Sequence, residues 1–214
     1  MLEQGVTLTD YGLALECVVC AALLARTKTS RTSLRAAGIC FFLFLGVSTA
    51  AGGTVHGFFP DENSPPGRFL WNVTLQTLGL AAMSAWLLGA GFFAAGRKGH
   101  WLALAAFPQV GLYGANVALV TQEFWITMTI YLPAALLLLS AFGCAWWRTR
   151  QPFLLVGGTG LTLTFVAALI QVQKIGIHPE YFNHNALYHV VQAVALAMLS
   201  FGTRTLVGTF REEM

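Results

Sequence analysis

Apolar runs of helical length alternate along the chain with short polar breaks. Seven can be drawn, near residues 9–26, 33–59, 66–95, 100–120, 124–147, 152–173 and 183–204. Roughly 20 mostly apolar residues are needed to cross hydrocarbon as a helix, so the pattern predicts an all-α, polytopic membrane protein: a bundle of seven transmembrane helices forming a single domain, 1–214. The break at 26–35 is basic and rich in Ser and Thr, that at 60–67 carries three prolines, and that at 96–99 is a glycine-flanked basic turn. The second run is long for one crossing, which predicts tilt or a bend at Gly52-Gly53, and Pro108 predicts a kink in the fourth.

Polar positions inside these runs crowd toward one end. Taking Asp10 as the cap of the first helix puts Glu16, six residues on, ~9 Å into the membrane. Asn183 reads as the cap of the seventh helix, which puts His189 at ~9 Å as well. His56, Asn72, Gln76 and Asn116 fall near the same level, and Asn185, His189 and Gln192 share one stripe of the seventh helix. His184 is five residues before His189, about 140° away around an ideal helix. Ionisable groups at membrane depth are costly, so this layer is the candidate functional site.

Composition excludes a soluble globule: 56% hydrophobic and 10% charged residues leave too little polar surface to coat one. Charge sets the expected orientation. Arg26, Lys28, Arg31, Arg35, Arg97, Lys98, Arg148, Arg150, Arg204 and Arg211 fall on one side, and only Arg68 and Lys174 on the other. Basic residues accumulate in the cytoplasm, which predicts an outside N-terminus, a cytoplasmic C-terminus and residence in the cell (inner) membrane. Glu62, Glu123 and Glu180 then face outside, and Glu212 and Glu213 inside. The net charge of +3 is topogenic and does not indicate nucleic acid; membrane lipids, and protein partners in a membrane complex, are the expected neighbours. Cys17, Cys20, Cys40 and Cys144 all lie within spans; Cys17 and Cys20 are spaced like a redox pair, but on a membrane helix they read as small buried thiols.

A catalytic zinc takes three protein ligands and keeps a position open for water. His56 and His189 are the natural first two, with His184 or Glu16 as the third; His56, His189 and Glu16 are also the catalytic candidates. Asn72, Gln76, Asn116, Asn185 and Gln192 are expected to line a cavity for a ligand or cofactor.

Seven helices with an outside N-terminus, His56 at the outer end of helix two and His189 near the outer start of helix seven resemble the CREST superfamily of membrane hydrolases and receptors. That group includes the alkaline ceramidases and the progestin/adipoQ receptors. The resemblance covers the whole chain in topology and short stretches in motif, as for a divergent, bacterial-type member. It implies a zinc site built from a Ser-x-x-x-His motif on helix two, an Asp on helix three and a His-x-x-x-His motif on helix seven. His56 and His189 match that pattern, whereas Gly52 and Asn185 stand four residues before them and Asn72 is the nearest polar residue to the Asp position. Asn is a poor zinc ligand beside imidazole, and Asp10 with Glu16 falls short of a calcium cage.

The expected function is therefore an outward-facing polar cavity that binds a lipid or small amphiphile, in a non-enzymatic binder or an accessory subunit of a membrane complex. Two alternatives stay open: a zinc-dependent intramembrane hydrolase of lipid amides or esters, and a haem protein using His56 and His189. Retinal is disfavoured because helix seven carries no Lys.

Overall fold

The computed structural model describes residues 3–59, 61, 64–93, 97–122, 125–178 and 182–208. Glu62, Glu123, Glu180, Arg211, Glu212 and Glu213, which enter the charge split, lie outside the described residues. Eight helical segments are found among the described residues: α1 Gln4–Ala25, α2 Thr32–Phe58, α3 Pro65–Phe93, α4 Arg97–Leu104, α5 Ala106–Leu119, α6 Trp125–Thr149, α7 Pro152–Val172 and α8 His184–Gly208. Seven helices are long and apolar enough to cross a membrane, α4 and α5 counting together as one of them over His100–Leu119.

The division between α4 and α5 has a simple cause. Pro108 has no N–H to give the carbonyl of Leu104, and its ring crowds that carbonyl, so the helix breaks at Ala105, which itself keeps helical angles (φ −62°, ψ −19°). The expected kink is thus placed three residues ahead of the proline. α2, by contrast, runs through Gly52-Gly53 without interruption. At the end of α6, Arg150 adopts a left-handed conformation (φ 55°) and its N–H reaches the Trp146 carbonyl at 2.8 Å. Pro152 then occupies the first turn of α7, where a missing N–H costs nothing.

Six helices close a ring in the order α1, α2, α3, α6, α7, α8 and back to α1, while α4 and α5 lie outside it against α3. Small residues set the close approaches, as expected where lipid supplies no hydrophobic drive between helices. Gly157 and Gly160 of α7 meet Gly202 and the Ala195–Leu199 backbone of α8. α6 and α7 make the sparsest contact in the ring. The outside of the bundle is apolar: Leu8, Leu112 and Leu119 are 75%, 75% and 84% exposed.

One expectation changes here. Asp10 does not cap α1, which begins six residues earlier at Gln4; it is buried in the helix (4% exposed). The apolar pattern hid the first two turns because Thr7, Thr9 and Asp10 there face protein partners. Cys17 and Cys20 are buried as expected, Cys144 is exposed, and all four thiols are free.

Candidate functional site

The earlier start of α1 resets the depth scale. Asp10 now lies ~9 Å below the first residue of α1, whereas Glu16 lies ~18 Å below it. Asp10 is therefore level with His189, and the two meet: Asp10 Oδ1 is 3.3 Å from His189 Nε2. Thr9 Oγ1 takes the other ring nitrogen, Nδ1, at 3.0 Å. This seating depends on glycine, since a Cβ on Gly53 of α2 would come within 2.7 Å of the Asp10 Cβ.

A cavity of about 150 Å³, the more polar of two, opens around this pair inside the ring. Its polar wall includes Asp10, Ser48, His56, Thr74, Gln171 and Asn185, together with His189 and Gln192. Ser48 donates to the Thr74 carbonyl (3.0 Å), tying α2 to α3, and Gln171 of α7 donates through Nε2 to Asn185 Oδ1 of α8. Gln171 Oε1 is buried with no partner among the described residues. A second cavity of about 350 Å³, almost wholly apolar, lies between α2, α3, α6, α7 and α8 and shares Leu45, Leu78, Tyr188 and Gln192 with the first. Its walls include Leu132, Leu169 and Val172, which are also exposed on the outer surface of the bundle (48%, 60% and 54%).

Above the polar cavity Glu3 joins three elements. Its N–H donates to the His56 carbonyl (3.1 Å), its Oε2 lies 3.1 Å from His56 Nδ1, and its Oε1 accepts from Asn183 Nδ2 at 3.1 Å. Glu3 and Asp10 are seven residues apart and so share one face of α1. Asn183 caps α8 as expected, Oδ1 accepting the Ala186 N–H at 3.1 Å. The His56 imidazole beside Glu3, chiefly through its hydrogen bond, holds the Glu3 carboxyl below the usual value of 4.5, while partial burial works the other way. A lowered folded-state pKa means that Glu3 stabilises the fold above pH 4.5 and that this contribution fades as pH falls through the lowered value. Wild type is expected to lose thermal stability between pH 5 and 3 more steeply than Glu3→Gln, by less than about 1 kcal/mol because Glu3 is partly solvated. Parallel melting curves for the two proteins across that window would show that the contact is not formed.

The structure brings together His56, His189, Asn185 and Gln192 around one cavity. It does not bring in the other candidates. Glu16 lies against the backbone of Ala197 and does not line the cavity. Gln76 donates to the Gly114 carbonyl at 3.0 Å, pinning α5 to α3. Asn116 Oδ1 is buried without a partner among the described residues, and Asn72 is half-buried on α3; neither lines the cavity. His184 is placed near Glu3, not with His189. Among the described residues no three of His, Cys, Asp or Glu gather as a metal site. Both ring nitrogens of His189 are engaged by protein, so ligation of zinc or haem would require breaking one of those contacts. The expected ligand set does not fit a metal in this arrangement.

Sequence reasoning missed Glu3, Thr9, Ser48, Thr74, Gln171 and Tyr188. The seven-residue spacing of Glu3 and Asp10 was the available signal for an earlier helix start. Ser and Thr carry no such signal, because most satisfy themselves on their own helix, as Thr49 and Ser84 do here.

A family model described as a family of unknown function (DUF6962) matches residues 6–207, and the chain belongs to that family. No curated protein and no solved structure matches.

Proposed function

We propose that this protein is a membrane-embedded binder of a lipid or small amphiphile, working alone or as an accessory subunit of a membrane complex. In this reading it sits in the cell membrane with its N-terminus outside and C-terminus in the cytoplasm, on the strength of the charge split. The observation that carries the proposal is the shared wall: a polar cavity and an apolar one meet at Leu45, Leu78, Tyr188 and Gln192. Such a space suits a molecule with a hydrogen-bonding head and a hydrocarbon tail. Ligand sites are mostly apolar with a few convergent polar groups, and a dry cavity of about 150 Å³ already accepts benzene; the apolar one is more than twice that size.

Entry from the bilayer between α6 and α7 is supported by the sparse contact of those helices and by Leu132, Leu169 and Val172, which belong both to the cavity wall and to the lipid-facing surface. Ala168→Trp would fill the apolar cavity from α7. Mass spectrometry of gently solubilised wild-type protein should find one retained amphiphile class, and Ala168→Trp should lose it while keeping its melting temperature within a few degrees. The same lipid complement in both would sink the proposal.

The catalytic alternative, zinc-dependent hydrolysis of a lipid ester or amide, has His56 and His189 on the same cavity in its favour and needs a rearrangement that frees a His189 ring nitrogen from Asp10 or Thr9 and brings in a third ligand. Stoichiometric zinc in the purified protein, lost in His56→Ala, would favour it.

A further inference from the structure

Gln192 stands where the two cavities meet, lining both, and is only 8% exposed. Its amide makes no hydrogen bond to any described residue. Tyr188, one turn earlier on α8, also lines both cavities, and its hydroxyl likewise has no partner among the described residues. The contrast is Tyr113, whose hydroxyl is met by the Leu75 carbonyl and Thr127 Oγ1, both at 2.9 Å. Buried polar groups in folded proteins are nearly always paired, and leaving them unpaired is costly. The Tyr188 hydroxyl and the Gln192 amide are not among the atoms sealed off from solvent; they open onto the cavities where polar space turns apolar, so their partner is water or a ligand in that space.

The chemistry of the two groups selects that partner. The tyrosine hydroxyl and the glutamine NH₂ are donors that can converge on one oxygen, a hydroxyl, ether or carbonyl. Farther into the polar cavity the wall includes the carboxylate of Asp10, an acceptor, which lies 3.3 Å from His189 Nε2 through Oδ1. The two donors therefore stand between a polar end and hydrocarbon.

We propose that Tyr188 and Gln192 are specificity-determining residues. They donate hydrogen bonds to an oxygen at the boundary between head and chain of a single-chain amphiphile whose tail fills the apolar cavity. This rests on the reading of the two cavities as one ligand space. An alkane of equal length meets the same apolar wall but leaves both donors unmet, so discrimination comes from the penalty of unpaired groups rather than from fit. A site built to hydrogen-bond one group rejects a ligand lacking it more strongly than a hydrophobic wall can.

The test uses tetradecan-1-ol and tetradecane, which differ by one oxygen. Each is titrated into the full-length protein in phosphatidylcholine nanodiscs, with the rise in melting temperature as readout. Wild type is expected to bind the alcohol about tenfold more tightly than the alkane. Gln192→Leu and Tyr188→Phe, which keep volume and ring packing, should each weaken the alcohol by roughly three- to tenfold and bind the alkane at least as tightly as wild type does, because one unmet donor is gone. Variants that bind the alcohol as wild type does would overturn the assignment, as would equal binding of both probes to wild type. If binding is equal and Ala168→Trp abolishes it, the amphiphile reading stands and the oxygen-reading role falls. If neither probe binds wild type, both fall.

Discussion

Gly202→Ala is expected to lose about 3 kcal/mol of stability, read as a lower midpoint of unfolding in mixed detergent micelles. At the α7–α8 crossing a Cβ on Gly202 would collide with the Cα of Gly157, and a Cβ on Gly157 would lie 2.6 Å from the Gly202 Cα. Phe142 closes the remaining side, 3.1 Å from either added methyl. The obstacle is backbone on a facing helix, so no rotamer change relieves it and the helices must separate. Gly160 continues the constraint one turn along, its Cβ falling 2.7 Å from the Ala195 carbonyl oxygen and 2.8 Å from the Leu199 nitrogen. Gly12→Ala is the control: nothing lies within 4 Å of its added Cβ, and alanine is the better helix former by up to about 1 kcal/mol. Should Gly202→Ala prove as stable as Gly12→Ala, the crossing described here is wrong. Because α7 and α8 carry Gln171, Asn185, Tyr188 and His189, the same substitution should also abolish ligand retention.

Asp10→Ala and His189→Ala should each destabilise by about 2–3 kcal/mol, and the double variant by clearly less than their sum. Removing either partner leaves the other buried with part of its hydrogen bonding unmet, and that penalty is incurred only once when both are gone. A coupling of more than about 1 kcal/mol is expected from contacting groups. Asp10→Asn, which keeps the volume and an acceptor, should cost less than Asp10→Ala. Glu16→Gln paired with His189→Ala should be additive within about 0.5 kcal/mol, since Glu16 is ~9 Å farther along α1 and turns toward Ala197. Coupling at Glu16 and none at Asp10 would mean that the register of α1 against α8 is misassigned.

The two carboxylates of α1 show where legibility stopped. Both were visible as ionisable groups near a predicted span, and which one belongs to the site depended on where α1 begins. An apolar-run criterion starts a helix at its long apolar stretch, yet the first two turns of α1 carry Thr7, Thr9 and Asp10 on a face turned to protein. Six residues of error in the start moved the depth by ~9 Å and exchanged Glu16 for Asp10. His189 and Gln192 line the same cavity, as their shared stripe suggested, because their spacing of three keeps them on one face of α8, whatever its exact start. Gln171 was invisible, since one amide near the end of a very apolar helix has no periodicity to place it.

Sequence alone determined what depends on one segment at a time: seven apolar helices, the capping of α8 by Asn183, the break caused by Pro108, and a polar layer near one end. Length, hydropathy and local hydrogen bonding fix these before any helix meets another. Tertiary structure decided everything that depends on which faces meet: the Asp10–His189–Thr9 contact, the exclusion of Glu16, Asn72, Gln76, Asn116 and His184 from the cavity, and the union of a polar cavity with an apolar one. The physical reason is that rotation and relative depth of packed helices are set by close contacts such as Gly157 on Gly202 and Gly53 on Asp10. Those contacts pair residues far apart in the chain, and no local pattern encodes them.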